Sequence, residues 1–235
     1  MTTTTLRKPE KKFDDFIAFA SHELKTPLTT AKIYLKLLNE LLKNEGSEKA
    51  ILYAQNTSTS IEKINNLVIE LLDITKLQHA KMILNITAFN FESLLNETIN
   101  LIQASAPAYT IIVTGNTNIP VRADYERLQQ VLNNLLLNAI KYSPSSPEIE
   151  IKVSNKNGEL MVTVVDHGIG IQQKNLLIIF EKFYREENNS ISFPGLGVGL
   201  FISAEIIKRH NGRIWAESTP RKGSEFNFII PLNNL

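Results

Sequence analysis

Five clusters in this sequence hold side chains able to do chemistry together. The first is Ser21-His22-Glu23-Leu24-Lys25-Thr26-Pro27-Leu28. Imidazole titrates near neutral pH, so neutral His22 offers a ring-nitrogen lone pair, a competent nucleophile toward phosphorus. Glu23 can accept a hydrogen bond from the other ring N–H, which fixes the tautomer and sharpens the nucleophile. Pro27 lacks the N–H that would reach the Glu23 carbonyl, so a helix here should kink beside the histidine. A surface His with a neighbouring Glu is the plain alternative, but the Pro in an otherwise unbroken helical pattern is harder to place on structural grounds.

The second cluster runs from Asn133 to Tyr142. Asn134 and Asn138 lie one helical turn apart on one face, and Lys141 and Tyr142 follow a turn later. Amide oxygens suit Mg²⁺, which takes hard ligands and shares them with phosphates, and a Lys beside them balances phosphate charge. A solvated polar face is the alternative. The third, Asp166-His167-Gly168-Ile169-Gly170, follows the apolar run Val162 to Val165. A carboxylate at a strand end, with Gly168 and Gly170 behind it, allows close approach of a flat ligand and could accept from an adenine amino group. The same pattern also makes an ordinary turn. The fourth is Phe180-Glu181-Lys182-Phe183-Tyr184-Arg185, where paired aromatics could anchor a loop and Arg185 could reach a terminal phosphate. A short amphipathic helix with a surface Arg fits it equally. The fifth is Gly195-Leu196-Gly197-Val198-Gly199, just ahead of a helix from Leu200. Gly195, Gly197 and Gly199 would expose successive N–H groups at a positive helix end, a phosphate cradle, or simply a flexible helix start. The spacing is not that of a dinucleotide-binding fingerprint. Glu186 to Ser190, between these last two clusters, reads as a mobile polar lid.

These clusters need positioning elements, and the chain changes character near residue 80. Before it, Gly46 is the only glycine and the pattern is helical. Ile17, Leu24, Ala31 and Leu38 repeat at intervals of seven, as do Ser21, Leu28, Leu35 and Leu42 four residues later. Asn44 to Ser47 reads as a turn. A second helix follows, with Ile61, Ile64, Val68, Leu71 and Leu72 as its stripe. Two helices bury little alone, so a homodimer forming a four-helix bundle is expected, with packing onto the second domain as the alternative. The boundary is placed between His79 and Asn85, giving domains 1–82 and 83–235.

The second part alternates. Helices are expected over 91–102, 124–141 (capped by Asp124) and 200–209. Strands are expected over 109–113, 119–122, 148–154, 160–165, 213–217 and 224–230, with a hairpin turn at Asn155 to Gly158. The sum is an α+β two-layer sandwich of one sheet and one helical layer behind an all-α hairpin.

Composition narrows the field. The 235 residues carry 25 Lys plus Arg against 24 Asp plus Glu, net +1, so neither nucleic acid nor an acidic membrane is the expected partner. With no Cys, disulfides, thiolate metal sites and Cys nucleophiles drop out. No run reaches the ~18 apolar residues of a membrane span, and no apolar signal core follows the N-terminal Thr run. The chain is expected to be cytoplasmic, with no membrane contact of its own. A membrane or ligand-sensing region, if there is one, belongs to a longer parent protein or to another chain.

In this order the five clusters resemble the sensor histidine kinases of two-component signalling, from about Phe13 to Ile230. The resemblance implies a dimeric phospho-acceptor hairpin followed by the ATP-binding sandwich shared with type II topoisomerases. It makes His22 the phospho-acceptor through Nε2, Glu23 its acid/base partner, and Thr26 the residue that positions water in members with phosphatase activity. It assigns Asn134, Asn138, Lys141 and Tyr142 to the nucleotide, Asn138 as the main Mg²⁺ ligand, and Asp166 to adenine. Gly168, Gly170, Arg185, Gly195, Gly197 and Gly199 complete the ATP site. His167 and Val198 depart from the commoner Asn, Lys or Arg and Leu. The implied function is Mg·ATP-dependent autophosphorylation on His22 and transfer to an Asp of a response-regulator receiver domain, with phosphatase activity on that regulator. An ATP-gated conformational module and a dimerisation scaffold with a dead nucleotide site are the other readings.

Overall fold

A computed structural model describes residues 24–38, 40–41, 47–78, 82–185 and 196–232. It divides into two compact units, with the division between His79 and Ala80.

The first unit is helical. Helix α1 covers residues 24–38 and 40–41, and α2 covers Ser47–Gln78. The Tyr34 and Tyr53 rings, 5.6 Å apart, join the two. One seam line turns inward: Ala31 is buried, and Leu24 and Leu38 are half-buried. The other stays open, with Leu28 and Leu35 exposed. The α2 stripe is open too at Ile61, Val68 and Leu72. Buried Thr57 and Ser60 satisfy their hydroxyls by donating to the Tyr53 and Asn56 carbonyls one turn back, each at 2.8 Å. The helix continues through Pro27. The expected kink partner Glu23, the remaining seam positions Ile17, Ser21 and Leu42, and the turn at Gly46 lie outside the described residues.

The second unit is the expected sandwich. Its order is β1 (Ile86–Asn90), α3 (Phe91–Ser105), β2 (Thr110–Gly115), β3 (Pro120–Asp124), α4 (Tyr125–Tyr142), β4 (Glu148–Lys156), β5 (Glu159–Asp166), α5 (Gly199–Arg209), β6 (Arg213–Thr219) and β7 (Gly223–Pro231). The main sheet runs β2-β4-β5-β7-β6. Only β2 and β4 are parallel, since α4 provides the crossover between them. The β4–β5 hairpin turns on Asn157 and Gly158, both at positive φ, which matches strand twist.

Strand β1 is an element that hydrophobic patterning missed. It pairs only with β3, in a two-stranded side sheet, and its residues are mostly exposed, so the sequence carries no clean alternation. The core lies between the sheet and α3, α4 and α5. Leu94 and Leu95, then Leu128, Leu132, Leu135 and Leu136, meet Ile149, Ile151, Val162, Val164 and Phe228, all fully or almost fully buried. Burying each such side chain is worth about 1.5–3 kcal/mol, which holds the helices against the sheet.

One polar group is sealed into this unit. His210, just past α5, is 1% exposed. Its Nδ1–H donates to the Ile206 carbonyl (2.8 Å), and its Nε2 accepts from the Asp124 N–H (3.0 Å). Burial holds its pKa below the ordinary 6.5, against the opposing influence of the Ile206 carbonyl and the Asp124 charge. In the unfolded chain the ring protonates first, so the linked stability is present above pH 6.5 and is lost as pH falls below it. The thermal midpoint should therefore drop as the pH falls below about 6.5, and the drop should be shallower in His210→Gln; equal slopes would show that other groups govern it.

Candidate functional site

Helix α4 is built to present one polar edge. Asp124 caps it, its Oδ1 accepting from the Arg127 N–H at 3.1 Å. Leu128, Val131, Leu132, Leu135 and Ala139 are buried on the core face. Asn134 and Asn138 are therefore left half-buried at the flank, together with Lys141 and Tyr142 at the C-terminal end. Asn138 Nδ2 donates to Asn134 Oδ1 at 3.5 Å, a long contact, so its own Oδ1 faces away from Asn134. Lys141 Nζ sits 5.1 Å from the Tyr142 ring centre.

Two glycines press neighbouring segments onto this helix. A Cβ at Gly199, the first residue of α5, would collide with the Asn134 side-chain oxygen. A Cβ at Gly168 would collide with the Tyr142 carbonyl, which also accepts the Ile169 N–H at 3.1 Å. A larger residue at 168 would push the backbone off α4, and one at 199 would displace the Asn134 side chain. Gly170 and Gly197 adopt φ of 66° and 69°. At Gly197 an added Cβ would meet the Arg185 Cγ and the Tyr184 carbonyl, each at 2.8 Å, so the aromatic stretch lies against the start of α5. Lys182 Nζ, 4.9 Å from the Phe201 ring centre, ties the same stretch to α5. That stretch is a turn rather than a helix, and Phe183 holds a left-handed φ of 65° that a bulky side chain rarely adopts.

Asp166 ends β5, 3% exposed. Oδ1 accepts from the Gly168 N–H at 2.8 Å, and Ser224 also hydrogen-bonds the carboxylate. Burial nonetheless raises its pKa; the hydrogen bonds from Gly168 and Ser224 and the charge of His167 oppose the rise. A buried carboxylate kept at a stability cost is a common mark of a binding group. A cavity of about 290 Å³ opens beside it, lined in part by His167, Ser218, Thr219, Lys222 and Ser224.

Asn134, Asn138, Lys141, Tyr142, Asp166, Gly168, Gly170, Arg185, Gly197 and Gly199 thus all belong to the second unit; Gly199 meets Asn134, Gly197 meets Arg185, Gly168 meets Tyr142, and Gly170 packs instead on Thr219 and Pro220. Thr26 lies exposed on α1, its carbonyl accepting from the Thr30 hydroxyl at 3.0 Å. His22, Glu23, Gly195 and the lid stretch Glu186 to Ser190 fall outside the described residues. Sequence reading missed two supporting residues. Buried Ser203 accepts from Asn134 Nδ2 at 2.9 Å. Ser224 faces Asp166 as its Cα partner across β5 and β7. Ser203 was findable as the residue one turn after Gly199; Ser224 required the strand register.

Among the described residues no group of three His, Cys, Asp or Glu could hold a metal. A cation here would have to share amide oxygens with ligand phosphates, a coordination that suits Mg²⁺. The half-buried Asn pair fits that requirement.

Known proteins add the decisive comparison. Residues 14–80 match the His Kinase A (phospho-acceptor) domain, and residues 123–234 match the histidine kinase-, DNA gyrase B- and HSP90-like ATPase family. The catalytic domain of histidine kinase ThkA is 30% identical, with a TM-score of 0.55, over 63% of this chain and 97% of that one. The chain belongs to the sensor histidine kinases.

The sensor protein kinase WalK of Staphylococcus aureus is 32% identical over 97% of this histidine kinase chain. The chain spans 56% of one WalK sequence and 38% of another, so it corresponds to part of those relatives. The Acinetobacter baumannii histidine kinase AdeS shares the fold over 91% of this chain and 98% of its own, with a TM-score of 0.67 and 23% identity. No helix among the described residues is long and apolar enough to cross a membrane.

In this kinase, Asp166→Asn should separate binding from stability. Gly168 already occupies one carboxylate oxygen, so the new amide would present its NH₂, a donor, where the carboxylate presented an acceptor. ATP affinity should fall about ten- to a hundredfold, as for a lost charged hydrogen bond. The melting temperature should hold or rise, because a buried charge is removed. Nucleotide titration and thermal melting check both; unchanged affinity would take Asp166 out of the site.

Proposed function

We propose that this chain is the cytoplasmic kinase core of a sensor histidine kinase, which phosphorylates His22 from ATP and passes the group to an Asp of a response-regulator receiver domain. Residues 1–82 act as a homodimeric phospho-acceptor hairpin and residues 83–235 as the ATP-binding domain. The observation that carries this reading is the convergence on α4 and α5: Gly199 against Asn134, Gly168 against Tyr142, and Asp166 buried behind Gly168. The two family matches, one a phospho-acceptor domain and the other an ATPase, support it from the other side.

In this proposal Asp166 receives the adenine amino group. The N–H groups at the start of α5, with the helix dipole behind them, face the phosphates. Lys141 and Arg185 balance phosphate charge. Asn138, with Asn134, would hold Mg²⁺, which when bound shields charge on the phosphate oxygens. Transfer breaks the bond from the γ-phosphorus to the bridging oxygen and forms one to the His22 Nε2 lone pair, with ADP leaving. Glu23 holds the Nδ1–H as the ring becomes cationic. Phosphoryl transfer needs mainly position and charge compensation, which these groups supply. The exposed apolar lines on α1 and α2 favour a second copy as the covering partner. Phosphatase action on the regulator is part of the same proposal, since Thr26, exposed on α1, follows His22 by four residues in sequence and could orient a water.

His22→Ala should abolish labelling by γ-labelled ATP while nucleotide affinity stays unchanged; persistent labelling, or label stable to acid, would exclude this acceptor. Thr26→Ala should slow dephosphorylation of a cognate regulator more than it slows autophosphorylation. A reversed ranking would remove Thr26 from that role.

A further inference from the structure

The far ends of the two site helices meet the stretch that follows the unit division. Residues 82–85 have no regular secondary structure, yet Met82 is 4% exposed. Arg209, the last residue of α5, donates from Nη1 to the Met82 carbonyl at 2.9 Å. The Asn85 N–H donates to Asp124 Oδ2 at 2.8 Å. Asp124 is also the α4 cap, and its own N–H is held by His210 Nε2. The stretch is thus gripped by the C-terminal end of α5 and the N-terminal end of α4. The opposite end of α5 is Gly199, packed on Asn134. At 11 residues, α5 is a strut of about 16 Å between the two places.

We propose that Arg209 and His210 are positioning residues, clamping residues 82–85 to the nucleotide-binding helices so that occupancy at Gly199 and Asn134 is transmitted to the point where the catalytic domain begins. The inference rests on the function proposed above and names how that site communicates with the phospho-acceptor. A helix moves as a rigid body, so an adjustment at its N-terminus is carried to its last turn. The Arg209 contact to the Met82 carbonyl carries it into the chain directly, and His210 carries it a second way through Asp124, whose carboxylate accepts from the Asn85 N–H. From Met82 onward the chain travels with α5. Linkage is reciprocal for binding alone: nucleotide and stretch shift each other's equilibria by the same factor, and the transfer rate is a separate, kinetic quantity. Arg209 and His210 touch neither substrate nor the reacting atoms.

The test uses the full chain with Arg209→Ala, Arg209→Lys and Asn85→Pro. The last deletes the donated N–H at an exposed residue without touching α5. Three quantities are read: ADP affinity, the single-turnover rate of labelling of His22 at saturating ATP, and hydrogen exchange across residues 82–86 with and without ADP. In the wild type, ADP should slow exchange of the Asn85 amide. Arg209→Ala should lower the single-turnover rate roughly tenfold, abolish the ADP effect on exchange, and change ADP affinity by no more than the factor by which ADP slows that exchange in the wild type. Arg209→Lys, which keeps one charged donor, should recover most of the rate. Should Arg209→Ala fail to fold, Asn85→Pro must still slow the rate by more than it changes ADP affinity. The clamp is overturned if ADP leaves Asn85 exchange unchanged in the wild type, if affinity and rate fall together, or if both variants transfer at the wild-type rate. Should wild-type His22 not be labelled at all, the function reading fails, and the exchange measurement alone decides the clamp.

Discussion

The approach of α5 to the Asn134 side chain is the constraint on which the rest of the site depends. Residue 199 has no room for a Cβ, and Ser203 one turn later receives the Asn134 amide. Together they fix the angle and height at which α5 begins. Gly197 and the stem of Arg185 follow from that placement, and so does the direction in which the first N–H groups of the helix point. A helix start aimed at a polar helix flank is a site for an anion bridged to amide oxygens.

A second tension runs through Asp166. It sits at the end of β5 between its strand partners Ile149 and Ser224, and burial there penalises a charge. Gly168 and Ser224 offset part of that cost through hydrogen bonds. The residue is therefore an expensive one for stability and a well-oriented one for binding, a balance common where function selects a group that folding would not. His210 is the opposite case. It is buried and neutral, and both its ring nitrogens are occupied by backbone groups, so it works for architecture.

The helical unit leaves a different account open. Ala31 faces inward while Leu28, Leu35, Val68 and Leu72 do not, so a single copy covers only part of its apolar surface. Solvent exposure of that many apolar side chains on long helices is costly, and symmetric association is the usual remedy.

Much of this was legible along the chain. The Asp124 cap, the buried stripe of α4, the Asn157–Gly158 turn and the β6–β7 pair are local features: a side chain, a period or a turn residue decides each within a few positions. The five clusters were legible for the same reason, since glycine spacing and aligned Asn residues are visible without coordinates. Strand β1 was not, because its exposed residues follow no period and its partner β3 is remote in sequence, as in the pairing of Ile86 with Asp124. Nor were Ser224 or the grip of Arg209 and Asp124 on residues 82–85. Each of those is a contact between segments distant in sequence, such as Arg209 with Met82 or Asp124 with His210. Composition and spacing determine what chemistry a residue can offer. Which partner it meets is decided only when packing of the sheet and three helices brings remote backbone within hydrogen-bond range.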